Sequence, residues 1–184
     1  TATVSVTLSN NVEMLTRIGG ASLEGTGHGG ANTLAGNNAG NLLDGGGGND
    51  SLAGNGGNDT LAGGAGADTL TGGAGLDAFR FDSLAGANDR IADYNTAQDS
   101  IVVDASGFGG DLAAGMNINT AARLTSNTTG LANATAGTSQ FVWETDALIL
   151  WFDPDGSGAA VAQRVASFAV APANFTGAEI SVIA

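Results

Sequence analysis

Residues 45–80 read GGGGNDSLA, GNGGNDTLA, GGAGADTLT and GGAGLDAFR, four consecutive units of nine residues. One large apolar residue recurs in fixed phase, at Leu52, Leu61, Leu70 and Phe79, and an acid stands two positions before each, at Asp50, Asp59, Asp68 and Asp77. Each unit opens on a glycine: Gly45, Gly54, Gly63 and Gly72. Upstream the rulers continue through Leu34 and Leu43 and through Gly27 and Gly36, with Asn32 and Asn41 where the acids would be. A flexible glycine-rich linker has no reason to hold an apolar residue and an acid in register, so the period marks a stacked repeat.

Nine residues supply a strand of about three, carrying one inward apolar side chain, and a glycine-rich turn for the rest. Two units then complete one coil. The inward residues stack as Leu34, Leu52 and Leu70 on one sheet and as Leu43, Leu61 and Phe79 on the other, six side chains expected to be the whole core of the roll. Stacked coils are spaced like paired strands, ~4.8 Å apart, so acids one coil apart face each other across a rung. Calcium takes oxygens at about 2.3 to 2.6 Å and fits between two such carboxylates, with turn carbonyls completing its shell. Without an ion, carboxylates about 5 Å apart repel by roughly 1 kcal/mol in water and by several times that in a protein interior. Six inward side chains, at about 1.5 to 3 kcal/mol each, do not outweigh this and the backbone entropy of the glycines, so the array is expected to be unfolded until calcium binds.

These units resemble the RTX (repeats-in-toxin) hemolysin-type nonapeptide GGxGxDxUx, a calcium-binding motif. The resemblance covers residues 27–80 and implies an all-β fold: a right-handed parallel β-roll followed by a β-rich C-terminal cap, with several Ca2+ ions as cofactors. It implies full acid pairs at Asp50 with Asp68 and at Asp59 with Asp77. Backbone oxygens would come from Gly46, Gly48, Asn55, Gly57, Gly64, Gly66, Gly73 and Gly75. Asn32 and Asn41 keep a ligand oxygen without the charge, so their sites are expected to be weak or empty. Residues 1–26 form a degenerate flank, since Leu23 lies eleven residues before Leu34 instead of nine.

Past Arg80 the glycine density falls and ordinary strand patterns appear in 81–184, at 99 (DSIVVD), 140 (QFVWET), 147 (ALILWF), 163 (QRVASFAV) and 179 (EISVI). Trp143, Trp151, Phe152, Phe168 and Phe175 are expected to pack as its core, the alternative being a carbohydrate platform. Residues 88–104, NDRIADYNTAQDSIVVD, resemble the segment that closes the roll in serralysin-like proteases, bacterial lipases and mannuronan epimerases. In that family an acid-x-Ile-x-acid-aromatic element often binds a further calcium, which implies Asp89 and Asp93 as a capping site; solvated turn acids are the alternative. Asp153-Pro-Asp-Gly suggests an EF-hand, but position twelve of that loop is Arg164 where a bidentate glutamate is required, so a hairpin turn is expected instead.

Composition agrees. Eighteen acids face five arginines and no lysine, for a net charge of −13, which argues against nucleic acid and anionic membranes as partners and for a cation. With no cysteine there is no disulfide or thiolate chemistry, and no apolar run is long enough for membrane insertion. His28 is the single histidine, expected in a solvent-facing turn, so no HExxH zinc site or nucleophilic triad can be assembled and no enzyme activity is expected. The segment from LILWF to the terminus resembles the ends of type I secretion substrates. That implies a monomeric, secreted, extracellular module of a larger Gram-negative bacterial protein, handled by a type I exporter while unfolded. The second hypothesis is an accessory module that holds a polysaccharide or a cell surface. Against an anionic glycan stands the wide spacing of Arg17, Arg80, Arg90, Arg123 and Arg164.

Overall fold

A computed structural model of the chain describes residues 3–16, 18–84, 88–116, 118, 124–127, 139–154 and 162–184. It is an all-β, parallel solenoid of about five turns, with almost no helix. One sheet holds seven strands in the order β1 (Thr3–Thr7), β3 (Ser22–Thr26), β5 (Leu42–Asp44), β7 (Thr60–Ala62), β9 (Ala78–Phe81), β11 (Ser100–Asp104) and β16 (Ile180–Ile183). The other begins with β2 (Met14–Thr16), β4 (Thr33–Ala35), β6 (Ser51–Gly56), β8 (Thr69–Ala74) and β10 (Asp89–Ile91). It continues through β15 (Gln163–Phe168), β14 (Ile149–Asp153), β13 (Gln140–Glu144) and β12 (Leu124–Asn127).

The two-units-per-coil register holds. Leu34 pairs with Leu52 and Leu52 with Leu70, while Leu43 pairs with Leu61 and Leu61 with Phe79. All six are buried between the sheets. The core is nonetheless longer than these six. Leu70 pairs onward with Ile91, and Phe79 with Ile101, both fully buried, although the spacing has stretched beyond nine. The sheets therefore run on past Arg80, because an inward apolar residue and a strand are all a rung requires, whatever the turn length.

At the other end Leu23 is also core, 1 % exposed, despite standing out of phase. The nine-residue ruler lands instead on Gly25, which pairs with Leu43. A Cβ there would lie 2.9 Å from Leu15 Cδ2, 3.3 Å from Leu43 Cδ2 and 3.5 Å from Leu23 Cδ2, so these three leucines occupy the volume a leucine at 25 would take.

The turns carry a ladder of their own. Asn49 and Asn58 each accept from a backbone N–H one coil on, Ala67 and Leu76, both at 3.0 Å. Side-chain amides thus satisfy donors that the turn backbone leaves open.

The C-terminal region packs differently. β13, β14 and β15 form an antiparallel meander whose last strand joins β10 in parallel, so the meander extends the solenoid sheet. The expected hairpin between β14 and β15 is present; its turn, 155–161, lies outside the described residues. Phe141, Phe152 and Phe108, the last on the short helix α1 (Ala105–Phe108), form one aromatic cluster; Tyr94, Trp143, Phe168 and Phe175 form another. Trp151 is only half-buried and donates its indole N–H to Glu144 Oε2 at 2.9 Å.

Candidate metal centre

Along each edge of the solenoid the ruler acids form a chain of hydrogen bonds that runs from coil to coil. On one edge, Asn32 N donates to Asp50 Oδ1 at 2.7 Å, Asp50 N to Asp68 Oδ1 at 2.7 Å, and Asp68 N to Asp89 Oδ1 at 2.9 Å. On the other, Asn41 N donates to Asp59 Oδ1 at 2.7 Å, Asp59 N to Asp77 Oδ1 at 2.9 Å, and Asp77 N to Asp99 Oδ1 at 3.1 Å. Each carboxylate thereby spends one oxygen on the coil before it, which fixes its rotamer.

The second oxygen is left over. Oδ2 of Asp50, Asp59, Asp68 and Asp77 is buried and has no hydrogen-bond partner. Each tucks against the glycine that opens its own unit, so tightly that a Cβ on Gly45, Gly54, Gly63 or Gly72 would overlap it. A buried carboxylate oxygen without a donor is costly, and the chemistry that removes the cost is a cation.

Carbonyl oxygens converge on the same seams. A Cβ at Gly64 would overlap Gly46 O, and the same holds for Gly66 with Gly48 O, Gly73 with Asn55 O and Gly75 with Gly57 O. Gly64 also has φ +94°, which side chains rarely adopt. The eight residues named from the sequence as oxygen donors thus face one another closely between coils. Among the described residues, no three His, Asp or Glu side chains converge on one point, so a cation held here would take most of its shell from carbonyls. Oxygen-only donors in that proportion suit calcium.

Electrostatics point the same way. Burial pushes the carboxyls of Asp50 and Asp59 up to about 6, against the downward pull of the N–H groups they accept from, with neighbouring acids adding to the rise. Asp68, Asp77 and Asp99 are raised for the same first reason. Asp89 is pushed furthest, to about 8, by burial and by the Asp68 charge beside it. The seams are lined with carboxyls that burial and mutual repulsion make costly to ionise without a cation.

Other residues singled out from sequence sit differently. Asp93 lies off the seam: its Oδ1 accepts from Gly72 N at 2.9 Å and its Oδ2 from Gly73 N at 2.8 Å. His28 is half-buried; its Nδ1 accepts from Gly30 N at 2.9 Å, and its Nε2 lies 3.0 Å from Asn32 Nδ2. Asp99 was not singled out, yet it ends one seam as Asp89 ends the other. The signal was present, since Asp99-Ser-Ile101 repeats the acid-x-apolar phase of Asp68-Thr-Leu70 and of Asp89-Arg-Ile91.

Residues 26–61 and 53–83 match the family model of the RTX calcium-binding nonapeptide repeat, in four copies. Among solved structures that match is a solution structure of a subunit from the Azotobacter vinelandii mannuronan C5-epimerase. It is 29% identical, with 90% of this chain and 81% of that chain covered, at a TM-score of 0.41. No curated protein gives a significant match.

Proposed function

We propose, from the premise that residues 26–83 are RTX calcium-binding nonapeptide repeats, that this chain is a non-catalytic module whose roll folds when Ca2+ enters the two seams. One observation carries the reading: four buried carboxylate oxygens, one per full repeat, have no donor. Asp50 and Asp68 with Gly46, Gly48, Gly64 and Gly66 would hold an ion on one edge. Asp59 and Asp77 with Asn55, Gly57, Gly73 and Gly75 would do so on the other. Asp89 and Asp99 extend each seam by one coil.

Calcium supplies the positive charge these oxygens lack, so binding free energy becomes folding free energy. Such a module is unfolded where calcium is scarce and ordered where it is plentiful. That suits passage through a type I exporter as an unfolded chain, followed by folding outside the cell as part of a larger secreted protein. Among the described residues no helix is long and apolar enough to cross a membrane. Of the described arginines, Arg80 pairs with Asp82 and Arg164 is turned toward Asn88 and Ser167.

The test is a calcium titration followed by circular dichroism. The chelated chain should lack most of its β signal and gain it cooperatively with calcium, while magnesium, which requires small octahedral sites, substitutes poorly. Full β signal with a sharp melting transition in chelator would rule the reading out.

A further inference from the structure

The seam that ends at Asn41 repeats the geometry of the acid units with one atom changed. Asn41 Oδ1 accepts from Leu23 N, one coil earlier, at 3.0 Å, the same role that Asp59 Oδ1 plays for Asn41 and Asp77 Oδ1 for Asp59. Its Nδ2 then stands where the acids place their orphaned Oδ2. A Cβ on Gly36, which opens the unit, would lie 2.7 Å from that nitrogen, just as Cβ atoms on Gly54 and Gly72 would meet Oδ2 of Asp59 and Asp77.

What surrounds the nitrogen is informative. Asn41 Nδ2 donates to Ala39 O, to Asn37 O at 3.4 Å and to Asp59 Oδ1 at 2.9 Å. These are the turn carbonyls at the second and fourth positions of its own unit, together with the carboxylate of the next coil. In repeat phase they correspond to Gly57 O, Asn55 O and Asp77 Oδ1, three of the oxygens assigned above to the seam between the Asp59 and Asp77 turns. The amide cannot be flipped, because an oxygen would then face two carbonyls and an NH2 would face the Leu23 N–H.

We infer that the Asn41 side-chain amide is a built-in substitute for the cation, closing the seam between residues 36–41 and 54–59 with N–H hydrogens so that this position takes no calcium. Asn32 leaves no orphan either: its Oδ1 accepts from His28 N at 2.7 Å and its Nδ2 donates to Ala31 O at 3.3 Å. The N-terminal coils are therefore held by hydrogen bonds and leucines, and the ion-dependent part of the roll begins at Gly45. This inference rests on the calcium reading proposed above.

The test counts calcium ions bound per chain, by equilibrium dialysis against CaCl2, for the wild type, Asn41→Asp and Asn41→Ala. Asn41→Asp restores an oxygen in place of the nitrogen and should bind one more calcium than the wild type. Asn41→Ala should bind the wild-type number and melt about 2 to 4 °C lower in saturating calcium, through loss of buried hydrogen bonds. An unchanged count in a folded Asn41→Asp, or one fewer ion in Asn41→Ala, overturns the inference while leaving the calcium reading standing. If Asn41→Asp does not fold, Asn41→Ala decides: an equal count with a lower melting temperature supports the inference, and an unchanged melting temperature overturns it. A wild type that binds no calcium removes both.

Discussion

The nonapeptide roll and the C-terminal region share two sheets but are held together by different forces. In the roll, each coil buries two apolar side chains and four acids crowd the seams with orphaned oxygens. The C-terminal region buries Phe108, Phe141, Trp143, Phe152, Phe168, Ile180 and Val182 in a true core. A core one leucine wide buries little apolar surface per coil, whereas clustered aromatics bury much more, so on the calcium reading proposed above the roll is the part that depends most on an ion. Because β10, β11, β15 and β16 continue the roll's own sheets, the second region also closes the open end of the first and ends both acid seams.

The largest expected effect comes from separating the two. A fragment ending at Arg80 loses Asp89, Asp99 and the covering strands, so its calcium midpoint should rise at least tenfold or folding should be lost. One beginning at Leu42 keeps every ruler acid and should show a modest shift. If the first titrates like the full chain and the second ignores calcium, the dependence runs the other way.

Next come single side chains. Phe152→Ala removes a fully buried ring from the C-terminal core and should cost about 3–5 kcal/mol in saturating calcium, read by thermal melts. Asp68→Ala should raise the calcium midpoint severalfold, because it removes both the acceptor for Asp50 N and an orphaned oxygen. Asp44→Ala should barely move it, since Asp44 is exposed and its carboxylate accepts from Gly46 N, at 3.0 Å, within its own turn. Equal midpoints for the two aspartate variants would contradict the seam assignment.

Two glycines sharpen the contrast within the roll. Gly64→Ala places a Cβ on Gly46 O at a φ of +94°, whereas Gly29→Ala meets nothing within 4 Å. Thermal melts in calcium should show a loss of about 1 to 3 kcal/mol for the first and a change within about 0.5 kcal/mol for the second.

The smallest effect is one of pH, in chelator. Burial raises the carboxyls of Asp50 and Asp59 to about 6 and that of Asp89 to about 8, so the ion-free folded roll binds protons more tightly than the unfolded chain. The stabilisation is fully present below about pH 4, the unfolded value, and is lost as pH rises through these values. Chelated protein should therefore gain β signal on acidification from pH 8 to pH 5. With calcium present, the same protons compete with the ion and the midpoint should move upward.

Much of this was legible in the residues. A period of nine with an acid two places before a leucine determines a two-unit coil, its inward stacks and its paired carboxylates, because strand spacing and alternation follow from the backbone alone. The strands at 99, 140, 147, 163 and 179 were visible by alternation, and Trp143, Phe152 and Phe168 lie in the core as expected. What the period could not reach was decided by tertiary packing. Leu23 is core because Gly25 leaves room for it. Ile91 and Ile101 extend the stacks because the sheets tolerate a longer turn. Asp99 ends a seam that sequence spacing had closed at Asp77. Whether Asn41 presents an oxygen or a nitrogen to its turn depends on which hydrogen-bond partners stand one coil away, and only the folded chain brings Leu23 N, Ala39 O and Asp59 together. Local periodicity specifies the rung; contacts between rungs far apart in sequence specify where the stack ends and what fills its seams.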